Sequence, residues 1–277
     1  MIRIFLNVLS LRVFSRIYGW LVRRKHPRFI IKRIIRLFHD TYGIDMDEYI
    51  GEIDDYKSLC DFFIRPLDTE KRRLVPVKDF MVSPSDGKLS KVETIYEERT
   101  TQVKGKTYSV EELIGEKVDF SKGWTVATIY LAPSNYHRYH YPVGGKIEGY
   151  LHTGGRLYPV NHLGLNNVPG LFIRNERIIT KMMVETGKGE FPLYIVAVGA
   201  TFVGTVIMEY IEGKHKHDEW IKLEKNVNQL DEMGRFEMGS TLVLVFPKDM
   251  GSVVEGVVEK PVRVGERIFD LSNSNLL

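Results

Sequence analysis

Residues 237–246 read EMGSTLVLVF. A glycine and two hydroxyl residues lead straight into an unbroken apolar run from Leu242 to Phe246. A short apolar run bounded by a turn signal marks a core strand. Comparable β-branched runs, separated by turn residues, fill the chain from about residue 75 onward: KLSKVETI (88–95), VATIYLA (126–132), GKIEGYLH (145–152), RIITKMMVE (177–185), YIVAVGA (194–200), FVGTVIMEYI (202–211) and VVEGVVE (253–259). The pattern predicts an α+β, mostly β chain with an antiparallel, sandwich- or barrel-like body. One turn of helix is predicted at 111–115 (EELIG).

The uncharged stretch 191–208 lies between Glu190 and Glu209 and has the length of a membrane span. Pro192, Gly199, Gly204 and the many β-branched residues instead favour two buried strands bent at Gly199-Ala200.

Upstream of the β region the character changes. The chain has 39 basic and 36 acidic residues, net +3. Ten of the basic ones precede residue 40, and the first acid is Asp40. Residues 40–277 therefore hold 29 basic against 36 acidic residues, a net −7. Helices are predicted before Pro27, at about 28–39, and at 56–64 (YKSLCDFFI). In the first, Arg12, Arg16 and Arg23 share one face and large apolar residues cover most of the rest. Arg3, Arg12 and Arg16 interrupt the run, so it is too broken to span a bilayer. A basic, amphipathic N-terminal segment fits an anionic membrane surface. An amphipathic helix packed on its own domain is the alternative. Nucleic acid fits less well, because no recognition helix is evident.

Composition narrows the chemistry. Hydrophobic residues at 43% and charged residues at 27% exclude a disordered or collagenous chain and a polytopic membrane protein. The single cysteine, Cys60, excludes an internal disulfide. It lies in an apolar stretch and reads as a buried structural thiol. Neither a G-x-S-x-G elbow nor a phosphate-binding glycine loop occurs. His137 and His140 (YHRYH, 136–140) point to opposite faces if they lie on a strand. That argues against a shared metal and for two separate catalytic roles, with two structural histidines as the alternative. His215 and His217 sit in a charged, surface-like run. Asp86 lies in a turn, SPSDGK (83–88), and Ser240 follows Gly239 at a strand start. Either is an ordinary turn residue by itself. Asp86, His140 and Ser240 make a Ser/His/Asp set only if the fold brings them together.

Seven segments together resemble the phosphatidylserine decarboxylases: DFFIRPL (61–67), SPSDGK (83–88), VKGKTYSVEELIG (103–115), YHRYHYPVGG (136–145), LYPVNHLGLNNVPGLFIRNER (157–177), VGATFVGTV (198–206) and MGRFEMGST (233–241). Met238 stands where bacterial members often carry Leu, and Asn135 where many carry Asp. The resemblance implies self-cleavage between Gly239 and Ser240. Asp86 would orient His140, which would take the proton from Ser240 Oγ as it attacks the Gly239 carbonyl. Elimination and hydrolysis would leave a covalent pyruvoyl group derived from Ser240, with fragments of 239 and 38 residues held together. That group would form a Schiff base with phosphatidylserine and accept the electrons released with CO₂. His137 would return a proton, with a pKa near the working pH, to give phosphatidylethanolamine.

The resemblance further implies no metal and no nucleic acid, a possible homodimer, and a peripheral location on the cytoplasmic face of the cell membrane. Residues 1–65 would form the membrane-binding segment and 66–277 the catalytic domain. His162, Arg174 and Arg177 lie in matched segments without an assigned role. A non-catalytic membrane-docking β module, and a conventional serine hydrolase using Ser240, are the competing readings. A pyruvoyl decarboxylase with another amino-acid substrate is a narrower one.

Overall fold

The computed structural model describes residues 2, 6–7, 10–103, 105–201, 206–211, 218–237 and 239–272. Residues 202–205, His215, His217, Met238 and most of residues 1–9 lie outside these, as do the side chains of Arg12 and Arg16.

The described residues form sixteen strands and six α-helices. The helices are α1 (Arg12–Val22), α2 (Arg28–Tyr42), α3 (Leu59–Phe63), α4 (Val110–Ile114), α5 (His162–Asn167) and α6 (Leu171–Arg174). The strands are β1 (Phe80–Val82), β2 (Gly87–Ile95), β3 (Arg99–Val103), β4 (Lys106–Ser109), β5 (Trp124–Leu131), β6 (Arg138–His140), β7 (Gly145–Thr153), β8 (Arg177–Thr186), β9 (Gly189–Val198), β10 (Val206–Met208), β11 (Trp220–Val227), β12 (Glu232–Phe236), β13 (Ser240–Pro247), β14 (Ser252–Val253), β15 (Pro261–Val262) and β16 (Arg267–Asp270).

An eight-stranded antiparallel sheet, in the order β11-β7-β8-β9-β13-β5-β2-β15, organises the molecule. The apolar run at 242–246 is β13, hydrogen-bonded to β9 on one side and β5 on the other. Both faces of β13 are covered, which explains why its sequence does not alternate. Leu242, Leu244 and Phe246 join a core with Met81, Tyr139, Met208, Phe236 and Phe269 from two three-stranded sheets, β10-β12-β6 and β1-β16-β14. Val243 and Val245 point the other way, toward Val110, Leu113, Leu171 and Phe172 of α4 and α6. One face is thus a sheet-on-sheet sandwich, as predicted, and the other is roofed by short helices.

Helix boundaries follow their caps. α2 continues past residue 39 to Tyr42, where Gly43 takes the left-handed conformation (φ 57°) and bonds back to the His39 carbonyl. α3 starts only at Leu59, because Ser58 Oγ accepts the Asp61 N–H. One strand prediction needs correcting. VVEGVVE is not a strand beyond Val253, and Gly256 (φ 78°) turns the chain. The 191–208 stretch yields two strands, as predicted, and β9 and β10 belong to different sheets. No helix among the described residues is long and apolar enough to cross a membrane.

Helices α1–α3 share their own apolar cluster: Val22, Ile31, Ile35, Leu59, Cys60 and Phe62. Tyr18 and Phe38 bridge it to the sheet, where Leu6 and Phe63 are fully buried. The opposite faces are bare. Val13, Ile17, Trp20 and Leu21 follow an i, i+4, i+7, i+8 stripe on α1, each more than half exposed. On α2 the stripe is Ile30, Ile34 and Leu37, with Phe29 at its start.

Candidate active site

The turn carrying Asp86 is stitched to the histidine segment by buried serines. Ser85 Oγ donates to the Tyr136 and Arg138 carbonyls (2.8 and 2.9 Å), Ser83 Oγ to the Ser85 carbonyl (2.7 Å), and His140 N–H to the Pro84 carbonyl (2.8 Å). The fold therefore does bring Asp86 and His140 together.

The two make no hydrogen bond to one another, however. Both Asp86 oxygens accept from the Arg72 guanidinium (2.6 and 2.8 Å), and one also accepts the Val264 N–H (2.8 Å). His140 is oriented by other groups. Its Nδ1 lies 2.7 Å from the Leu230 carbonyl and so carries the hydrogen. Its Nε2 then accepts from the Tyr136 hydroxyl (2.9 Å), whose ring stacks on the imidazole. Burial pulls the His140 pKa down, against the Leu230 carbonyl and the charges of Glu232 and Asp86. Asp86 thus acts on His140 through its field alone.

His137 precedes β6 and is fully buried. Its ring packs on Phe63 at 4.0 Å between centroids. Nδ1 donates to the Asn135 carbonyl (2.9 Å), leaving Nε2 a bare acceptor without a partner. Burial pushes its pKa down to about 3, opposed by the Asn135 carbonyl and helped by the Arg65 cation. A value near the working pH is therefore not what this buried site gives, and His137 is neutral here. Arg65 braces the same turn from inside the protein. Its guanidinium donates to the Ser134 carbonyl (2.7 Å) and lies over the Tyr49 ring.

Ser240 is the first residue of β13, opposite Leu131 at the end of β5. From Leu131 the chain turns through Ala132–Asn135, closed by Asn135 N–H to the Ala132 carbonyl and Ala132 N–H to Asn135 Oδ1, and delivers His137. Ser240 Oγ is fully buried and has no hydrogen-bond partner; Thr241 Oγ1 is likewise unpartnered. An unsatisfied buried hydroxyl costs about 1–3 kcal/mol, so its retention calls for a functional reason. A side chain at Gly239 would meet nothing within 4 Å at its Cβ.

Several participants escaped the sequence reading. Arg72 lies in a charged run (EKRR, 70–73) that looks like surface. Tyr136 was visible only as part of YHRYH. Glu237, two residues before Gly239, pairs with Arg23 just after α1. Arg23 is a basic neighbour of Cys60 in space, yet burial and the Glu237 carboxylate still push the thiol up to about 12. Arg177 is structural: it is buried and donates to the Glu112, Leu113 and Ile173 carbonyls. His162 and Arg174 are exposed. Among the described residues no group of three or more His, Cys, Asp or Glu side chains could hold a metal.

A family model described as phosphatidylserine decarboxylase matches residues 59–270. The phosphatidylserine decarboxylase proenzyme of Shewanella amazonensis is 38% identical over 266 residues, covering 88% of this chain and 90% of that protein. Its counterpart from Anaeromyxobacter sp. (strain K) is 36% identical over 262 residues (88% and 89%). That of Myxococcus xanthus is 34% identical over 280 residues (95% of each). The family match runs from the first residue of α3 to the last of β16 and takes in Asp86, both histidines, Gly239 and Ser240, so the chain belongs to the phosphatidylserine decarboxylase family.

Proposed function

We propose that this chain decarboxylates phosphatidylserine to phosphatidylethanolamine, using a pyruvoyl group that it makes from its own Ser240. The observation that carries the reading is the buried, unpartnered Ser240 hydroxyl directly after Gly239. Ser240 Oγ attacks the Gly239 carbonyl, and the amide becomes an ester. β-Elimination across Ser240 then separates a chain ending in the Gly239 carboxylate from a 38-residue fragment that begins in dehydroalanine, and hydrolysis of that residue with loss of ammonia leaves the pyruvoyl group. That fragment carries β13–β16. β13 is wedged between β9 and β5, β15 pairs with β2 and β16 with β1, so it stays in place after the bond is cut. The pyruvoyl group supplies a carbonyl that captures the substrate amine and takes up the electrons freed with CO₂. Phe63, the Asn135 carbonyl and the Arg65-braced turn hold His137 dry and neutral, after the turn that leaves β5 next to Ser240.

His140 serves as base for Ser240 only after exchanging its Tyr136 partner. One observation favours the reverse assignment. His137 Nε2 is bare and unpartnered, as Ser240 Oγ is, so His137 has no existing hydrogen bond to give up before acting as the base. The exposed apolar stripes of α1 and α2, with Arg24, Lys25 and Arg33 also exposed, support peripheral docking on an anionic leaflet. The division into a membrane segment (1–65) and a catalytic domain (66–277) is then one of roles, since Leu6 and Phe63 are buried in the body. Incubation with phosphatidylserine vesicles should release CO₂ and phosphatidylethanolamine, and Ser240→Ala should release neither. Conversion by the Ser240→Ala chain would sink the proposal.

A further inference from the structure

A cavity of about 380 Å³ opens between the end of α1 and the start of α3. This lies in the range of ligand pockets. Arg23, Lys25 and Lys57 line it, with Ser58, Cys60 and Asp61. Cationic groups predominate. Lys25 and Lys57 make no ion pair among the described residues. Asp61, the one acid in the wall, accepts the Lys57 backbone N–H (3.0 Å). The buried Ser58 hydroxyl accepts from Asp61 N–H and keeps its own hydrogen to donate.

One of these cations, Arg23, already carries an anion that is not itself part of the cavity wall. Glu237 takes Arg23 side-on, with Arg23 Nε 3.3 Å from Oε1 and Nη2 on Oε2. Side-on guanidinium binding suits a phosphate as well as a carboxylate. Glu237 stands three residues before Ser240, and three residues of chain span at most about 10 Å. On the other side, Trp20 and Leu21 of the exposed apolar stripe lie within three residues of Arg23. Arg23 therefore links the cavity, along the chain, to the exposed apolar stripe and, through Glu237, to the segment that carries the scissile dipeptide.

We propose that Arg23, Lys25, Lys57 and the Ser58 hydroxyl form the phosphodiester-binding site for the substrate head group, with the phosphate displacing Glu237 from Arg23. The proposal rests on the reading that the substrate is phosphatidylserine and adds where its phosphate is held. Acyl chains would lie along the α1 stripe, and the serine end would reach toward Ser240. Displacement frees the Glu237 side chain beside the reacting segment.

The test is equilibrium binding of water-soluble glycerophospho-L-serine to the uncleaved Ser240→Ala chain, which needs neither cleavage nor turnover and no membrane. Saturable binding is expected, weakened at least tenfold by Lys25→Glu with Lys57→Glu. Both substitutions are exposed, and an unchanged thermal melt shows the fold intact. Glu237→Gln is expected to tighten binding several-fold, because the competing carboxylate is neutralised. Absence of binding, binding indifferent to the lysine substitutions, or weaker binding to Glu237→Gln would overturn the site. Inorganic phosphate binding as tightly as the diester would also overturn it as a head-group site. Binding as expected, with no decarboxylation by the unsubstituted chain, would leave the site standing and remove the proposed reaction instead.

Discussion

Two histidines three residues apart are treated oppositely by the fold. Both nitrogens of His140 are hydrogen-bonded, to the Leu230 carbonyl and the Tyr136 hydroxyl, and Asp86 nearby is held by Arg72 and the Val264 N–H. His137 has one nitrogen satisfied and one bare, at the end of β5–β13 where Ser240 also lacks a partner. Satisfied groups fix geometry and lower energy; bare ones cost energy and keep reactive lone pairs available. On the proposed function, Asp86 and His140 act as the frame, and His137 and Ser240 are the poised groups.

The largest effect is expected where the poised side is removed. Ser240→Ala should abolish cleavage and turnover together, yet stabilise the uncleaved fold by about 1 kcal/mol, since an unsatisfied hydroxyl goes with it. Gel analysis and thermal melts check both halves. A clear loss of stability would mean that Ser240 Oγ is satisfied in solution.

The frame should break differently. Arg72→Ala leaves the Asp86 carboxylate buried without its counter-ion and should cost about 3–5 kcal/mol in chemical denaturation. A cost below about 1 kcal/mol would show that the pair is not closed in solution.

Separate substitution of the histidines sharpens the contrast. If His140 is the base for Ser240, His140→Ala stays uncleaved, and His137→Ala cleaves but does not decarboxylate. The opposite pattern assigns the base to His137, whose Nε2 is already free. Time courses of fragment formation distinguish the two.

Much of this was legible in the sequence. The apolar run at 242–246 marked the central strand, and SPSDGK and YHRYH marked two walls of the site. Partners were not legible, because they depend on long-range closure. Arg72 reaches Asp86 from a run of charges that reads as surface, and Arg23 reaches Glu237 across 214 residues. The helix ends were also misplaced, since the caps at Ser58 and Gly43 compete with the apolar pattern. Nor could periodicity reveal that β9 and β10 enter different sheets.

A pH dependence should follow from titration. The unfolded chain protonates His137 near the ordinary value of 6.5, whereas the folded chain does so only at about 3. Between these values the unfolded state binds more protons. Stability is therefore complete above about pH 6.5 and falls as the pH drops, by up to about 1.4 kcal/mol per unit for this one group. Denaturation midpoints of the parent and His137→Phe chains across that range should converge toward acid. Parallel curves would show that His137 is solvated. Tyr136→Phe should cost only about 1 kcal/mol, and it frees His140 Nε2. Faster cleavage in this variant would support His140 as the base, and an unchanged rate would favour His137.

Intact-mass spectrometry of the denatured, purified protein tests the central claim most directly. The expected result is two fragments meeting at Gly239 and Ser240, with the 38-residue one beginning in a pyruvoyl group. A single full-length mass from folded, catalytically active protein would contradict it.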